Sequence, residues 1–223
     1  MSGAEKIGQM WKDHFSGILN SVQNTSSRNS VLSRLNEDAG AIKNITVQEI
    51  CDAIRDLSSG RSGGYDGLDA EHFKFAGHSC VIHLSLCFTM MLKHSHLPNG
   101  LTKVLLIPIL KDKTGDISDK DNYRPIALAS VSSKILETTI LNRSRDCLQT
   151  SDHQFGFKPG HSTDMAIYAV KEIVDYFVRN NSPVFLCFLD AKKAFDRVNH
   201  WKLFDKLKKW YGFTNSQITC SVV

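Results

Sequence analysis

Along the chain, Trp11, Phe15, Ile18, Leu19 and Val22 recur at the three- and four-residue spacing of one helical face. The small polar residues from Asn20 to Ser30 then break the pattern, which predicts a helix followed by a linker. Thr46 and Glu49 stand at capping-box spacing ahead of Ile50, Ile54 and Leu57, so a second short helix is expected before the glycine-rich turn from Gly60 to Gly67. Val81 to Leu92 reads as a buried helix.

The period then changes. Val104 to Leu110 is a leucine-rich and β-branched run in which Pro108 argues for an edge strand. After the polar loop KDKTGDISDKDN, Tyr123 to Leu128 is expected to return as its antiparallel partner, with Lys111, Lys113 and Lys120 at the tip. Two helices follow, one through Val131, Ile135, Leu136, Thr139 and Ile140, the other through Ala166, Val170, Ile173, Val174 and Phe177. An irregular link from Gln154 to Ser162 joins them. Val184 to Leu189 are six consecutive apolar residues between Pro183 and Asp190, too short for a helix, and predict a strand covered on both faces. A last helix carries Leu203, Phe204, Leu207 and Tyr211 and stops near Gly212.

Composition adds bounds rather than identity. With 42% hydrophobic and 22% charged residues in 223, the chain is long enough to bury a core. A net charge of +4 permits a polyanionic partner without demanding one. None of the six cysteines forms a Cys-x-x-Cys pair, which reads as reduced thiols in an intracellular protein, nucleus or cytoplasm being indistinguishable. His78, Cys80, His83 and Cys87 lie in an apolar helical run rather than at the loop spacing that zinc requires. No apolar stretch reaches the length of a membrane span, no membrane partner is expected, and no obligate protein partner is evident.

Chemistry concentrates where the last predicted strand ends. Asp190 follows that strand directly and Asp196 lies six residues on, in FLDAKKAFDRVNH. A strand-end carboxylate is suited to hold Mg²⁺, because hard cations take oxygen ligands and a rigid strand aims them. The same residue serves equally well as the cap of a following turn.

The string from Phe188 to Val198 resembles the first palm motif of LINE-type (non-LTR) retrotransposon reverse transcriptases. Further matches run in the family's order over residues 60 to 211. They are Gly64, Asp66 and Gly67 for its G-x-D-G, then Ile107, Pro108 and Lys111 for the strand before the fingers loop. Asn122, Tyr123, Arg124, Pro125 and Ile126 match its N-Y-R-P-I box, followed by Lys134 and Glu137, and Gln154, Gly156, Phe157, Ser162 and Thr163 match the Q-x-G-F and R-S-T segment. The resemblance implies an α+β fold, the fingers and partial palm of a right-hand polymerase, helix-rich with an antiparallel β-hairpin. It implies a connecting helical segment over 1–59, fingers over 60–182, and the first palm strand and helix over 183–223.

It also implies RNA-directed DNA polymerisation with two Mg²⁺, on an RNA template and DNA primer with a deoxynucleoside triphosphate. Asp190 is then the catalytic metal ligand, with the Ala191 carbonyl beside it. Arg124, with Lys111 and Lys113, grips the triphosphate, for which a guanidinium fork and point charges are suited. Phe195 excludes a ribose 2′-hydroxyl, its alternative being a core phenylalanine. Gln154, Gly156, Phe157 and Lys158 lie along template and primer, although Lys158 and His161 stand where the family commonly has arginine. No Asp-Asp pair occurs in the chain, so the Y-x-D-D carboxylates are missing and a truncated, inactive enzyme is expected. The alternatives are a non-catalytic nucleic-acid-binding remnant and an unrelated Mg²⁺-dependent phosphotransfer domain using Asp190.

Overall fold

The computed structural model describes residues 3–19, 43–146, 148, 150–191 and 194–211, and the chain divides into two compact units. One comprises Met1–Arg145 with Phe195–Val223, the other Asp146–Ala194. The expected linker from Asn20 to Ser30, the cap at Gly212 and the tail beyond it fall outside the described residues.

The first unit begins with α1 (Gly3–Leu19), on which Phe15 is buried as its spacing predicts. Then comes α2 (Val47–Arg55), opened by the capping box read from the sequence. Thr46 Oγ1 accepts from Glu49 N, while the Glu49 carboxylate accepts from Thr46 N. Two short helices that periodicity did not reveal are α3 (Ala70–Phe75) and α5 (Asn99–Thr102). Six and four residues are too few to show a period. Between them runs α4 (His78–His94), which buries Val81, Ser85, Phe88, Thr89 and Leu92 on one side and leaves Leu86 and Met90 exposed, so only one face is covered.

β1 (Val104–Leu110) and β2 (Tyr123–Ala129) form the expected antiparallel hairpin, in a register that pairs Pro108 with Pro125 and Ile109 with Arg124. Each is an edge strand, so neither proline removes a ladder bond from a sheet interior. α6 (Val131–Ser144) starts at the Ser130 N-cap, whose hydroxyl accepts from Ser133 N, and α8 (His200–Tyr211) buries Phe204.

One core joins α2, α3, α4 and α6 through Ile45, Ile50, Ala53, Ile54, Phe73, Val81, Phe88, Leu92, Val131, Ile135 and Leu136. The segment entering α2 is tied to α4, since Ser85 Oγ donates to the Ile45 carbonyl at 2.6 Å and Ile45 N donates to Thr89 Oγ1 at 2.9 Å. These bonds satisfy buried polar groups that would otherwise oppose burial.

The G-x-D-G turn packs on this frame. Gly67 has φ +69°, its nitrogen donates to the Gly64 carbonyl, and Asp66 Oδ1 accepts from Leu68 N. A Cβ at Gly64 would stand 2.7 Å from the Ser130 Cα, so the turn meets the start of α6 backbone to backbone. Tyr65 donates to the Gly100 carbonyl at 2.8 Å and Ser133 Oγ to the Leu101 carbonyl at 2.6 Å, which ties both roots of the hairpin to one place.

The second unit contains α7 (Thr163–Arg179), N-capped by Ser162, and no residue of α7 is buried. The apolar run from Val184 to Leu189 departs from its expectation. It has no regular secondary structure, and Phe185, Phe188 and Leu189 stand 92%, 82% and 94% exposed. A strand exists through its ladder, and among the described residues no segment supplies one to this run. Six apolar residues state a demand for cover; they do not supply it.

Candidate functional site

The hairpin loop is ordered by the first two residues of the N-Y-R-P-I box. The Asn122 amide donates to the carbonyls of Asp112 and Asp116 at 3.2 and 3.3 Å, and Tyr123 Oη donates to the Ile117 carbonyl at 3.0 Å. A Cβ at Gly115 would lie 2.7 Å from Asn122 Nδ2, so a glycine lets the loop close over that amide. Asp112 and Asp116 each fold a turn of their own, on Thr114 and Ser118. Those hydroxyls hold the two carboxyls below the usual aspartate range, assisted by the backbone N–H of the same residues. These two exposed aspartates are thus turn formers.

Arg124 is exposed directly after this ordered pair. Opposite residues of an antiparallel ladder share a face and neighbours alternate, so Arg124 shares one side with Ile109 while Tyr123 and Leu110 take the other. Lys111 continues the ladder, its nitrogen donating to the Asn122 carbonyl at 2.8 Å, but its ammonium also donates to the Asp121 carbonyl at 2.5 Å. Its charge is therefore partly engaged in closing the loop. Lys113 is exposed on the turn. In α6, partial burial raises the Glu137 carboxyl above its ordinary range against the opposing charge of Lys134.

Trp11 of α1 meets Tyr123, ring centroids 4.7 Å apart, and stacks on Phe15 at 5.4 Å. Sequence reasoning assigned α1 no chemistry. Helical periodicity marks Trp11 as facing something, and only the fold says that it faces the hairpin.

In the second unit, Gln154 to Lys158 form a loop closed on itself. Gln154 Nε2 donates to the Gly156 carbonyl at 3.0 Å, and Lys158 Nζ donates to the Ser151 carbonyl and pairs with Asp152, both at 3.3 Å. Phe157, a residue 91% exposed, lies in the left-handed region at φ +58°, a costly conformation for a bulky residue. Among the described residues, chain neighbours aside, nothing comes within 4 Å of where a Gly156 Cβ would stand.

Asp190 and Ala191 are exposed in irregular chain of the second unit, whereas Phe195, in a turn and 72% exposed, is grouped with the first. Asn199 caps α8 through its side chain on Lys202 N at 3.1 Å. Asp190 and the Ala191 carbonyl are hard oxygen donors of the kind Mg²⁺ takes, but two fall short of the roughly six that it needs. Among the described residues no group of three His, Cys, Asp or Glu is placed to hold a metal ion, His78, Cys80, His83 and Cys87 included. No described helix is long and apolar enough to cross a membrane.

Comparison with known proteins adds the following. Residues 109–220 match the family described as reverse transcriptase (RNA-dependent DNA polymerase). The chain is 31% identical over 186 residues to a probable RNA-directed DNA polymerase from transposon BS of Drosophila melanogaster, covering 79% of this chain and 20% of that protein. It is 30% identical over 172 residues to the RNA-directed DNA polymerase from mobile element jockey of Drosophila funebris, covering 74% and 18%. It is 29% identical over 168 residues to the uncharacterized 149 kDa protein of transposon TX1 of Xenopus laevis, covering 74% and 13%. The chain thus spans about one fifth or less of the length of these relatives.

Proposed function

Since this chain belongs to the reverse transcriptase family, among the RNA-directed DNA polymerases of LINE-type retrotransposons, we propose that it forms the fingers and opening palm of such a polymerase. Its hairpin receives the incoming deoxynucleoside triphosphate, and the Gln154–Lys158 loop receives RNA template and DNA primer. The observation that carries this reading is the hairpin itself, a loop closed by Asn122 and Tyr123 that presents the exposed Arg124 on one face.

Arg124 binds and orients the triphosphate through its planar fork, and Lys113 adds a point charge. Lys111 contributes mainly by fixing the loop through Asp121. Phe157 offers an exposed ring on which a base stacks, and the open space at Gly156 lets a sugar-phosphate backbone approach the main chain. Lys158 supplies charge to phosphates after leaving Asp152. Phe195 stands against the ribose and selects deoxynucleotides by excluding the 2′-hydroxyl. Asp190, with the Ala191 carbonyl, is one part of a Mg²⁺ site that would neutralise charge at the reacting phosphate when bound.

The exposed Phe157 ring also favours a second reading, a nucleic-acid-binding module without catalysis, because stacking and phosphate contacts do not require Asp190.

Titration of the 223-residue chain with Mg²⁺–dATP tests the first reading. Arg124→Ala should weaken binding at least tenfold, as loss of a charge-assisted hydrogen bond of about 1.5–3 kcal/mol implies. Equal affinity in the two proteins refutes the assignment of Arg124.

A further inference from the structure

The hairpin's internal bonds give its loop a shape, but they do not say where that loop stands. Among the described residues both strand faces are largely open; Val104, Leu105, Ile109 and Ile126 are 44%, 48%, 49% and 39% exposed. The roots are tied by the Gly64 turn and by Tyr65 to Gly100, at the end opposite Arg124. A two-stranded ribbon held only at its root is free to swing at its tip, since isolated hairpins are marginal.

Near the tip α1 makes contact. Trp11 of α1 packs on Tyr123 at 4.7 Å, with the rings inclined by 60°. Trp11 is itself braced by the stacked ring of Phe15, which is buried. Alternation along β2 places Tyr123 on the side of the ribbon away from Arg124. α1 therefore supports the hairpin from behind and leaves the Arg124 face open. Beside the ring contact, Lys6, Gln9, Met10, Asp13 and His14 of α1 line a cavity of about 440 Å³ together with Lys120 of the loop. Within this part of α1 the ring contact to the hairpin is that of Trp11 on Tyr123.

We propose that Trp11 is a positioning residue for nucleotide binding: by packing on Tyr123 it holds the hairpin where Arg124 meets the triphosphate. The proposal rests on the reading of Arg124 given above. A protein that occupies its binding-competent arrangement for only a fraction of the time binds more weakly by that fraction, and the ring pair raises that fraction.

The test uses the 223-residue chain. Mg²⁺–dATP affinity is measured by calorimetry and amide hydrogen exchange is followed over residues 111–124, for the parent, Trp11→Phe, Trp11→Leu and Arg124→Ala. Trp11→Leu should weaken affinity about two- to tenfold, the range of an aromatic pair, and speed exchange in the hairpin. Trp11→Phe, which keeps a ring, should restore most of both. Should Trp11→Leu lose helix content, the test passes to a chain whose one tryptophan is Trp11, made by Trp201→Phe and Trp210→Phe. Its emission should shift on saturation with Mg²⁺–dATP, and an unchanged emission overturns the proposal.

Arg124→Ala weakening nucleotide while Trp11→Leu binds like the parent overturns the role of Trp11 and leaves the function reading intact. Faster hairpin exchange without loss of affinity overturns it too, making the contact merely structural. No nucleotide binding by the parent overturns the function reading and this proposal together.

Discussion

Arg143 reaches back along the chain to hold both carboxylate oxygens of Glu49, Nε to Oε1 at 2.6 Å and Nη2 to Oε2 at 2.8 Å. The same guanidinium donates to the carbonyls of Lys43 and Asn44 at 3.0 and 2.5 Å. One side chain at the end of α6 thereby fixes the whole entry to α2, including the carboxylate that completes its capping box. A bidentate, partly buried pair of this kind is stronger than an exposed one.

Glu49 makes that clamp sensitive to acid. Its carboxyl is lowered from an ordinary 4.5 to about 2, first by the Arg143 hydrogen bond, with Thr46 assisting and partial burial opposing. A depressed acid stabilises above its unfolded value, so this contribution is complete above about pH 4.5 and disappears as pH falls towards 2. Allowing for solvent screening it amounts to about 1–3 kcal/mol. Urea unfolding should show Arg143→Ala less stable by about that amount at pH 7 and nearer the parent at pH 3. A gap independent of pH would mean that Arg143 acts through the Lys43 and Asn44 carbonyls instead. Arg143→Lys, which keeps the charge and loses the fork, should fall between.

Two glycines of the family motifs should respond unequally to a methyl group. At Gly64 it meets the Ser130 backbone, which cannot give way without shifting α6, and Gly64→Ala should cost about 1–3 kcal/mol. At Gly156 it meets nothing among the described residues beyond its chain neighbours, and the change should stay within about 0.5 kcal/mol. Thermal melting of the two variants compares them directly.

Asn122→Ala removes two bonds that close the hairpin loop and Tyr123→Phe removes one. Each bond is worth about 1 kcal/mol net. Amide exchange over residues 112–118 should quicken in both, more in Asn122→Ala, and Mg²⁺–dATP affinity should fall in the same order. Unchanged exchange would show that the Asp112 and Asp116 turns suffice to order the loop.

Phe157→Ala should weaken binding to an RNA–DNA hybrid by about 1–3 kcal/mol, the scale of one stacked base. Lys158→Ala should instead lower the salt dependence of binding by about one phosphate contact. Hybrid affinity indifferent to Phe157 removes the stacking role.

Purified 223-residue chain is expected to extend no primer on an RNA template with Mg²⁺, because its sequence contains no Asp-Asp pair of the kind the family resemblance calls for. Extension that Asp190→Ala abolishes would falsify that expectation.

Local chemistry was readable in the sequence wherever it depends on neighbours in the chain. The capping box at Thr46 and Glu49, the β1–β2 hairpin and the long helices follow from periods and caps that act over a few residues. The family's order of motifs was readable for the same reason, since each motif is a short string. Tertiary structure decided which distant groups meet. Arg143 on Glu49, Gly64 on Ser130 and Trp11 on Tyr123 join residues that no periodicity relates. It also decided the state of Val184 to Leu189. Their apolar pattern calls for a ladder and cover on both faces, and those depend on partners elsewhere, which the described residues do not provide.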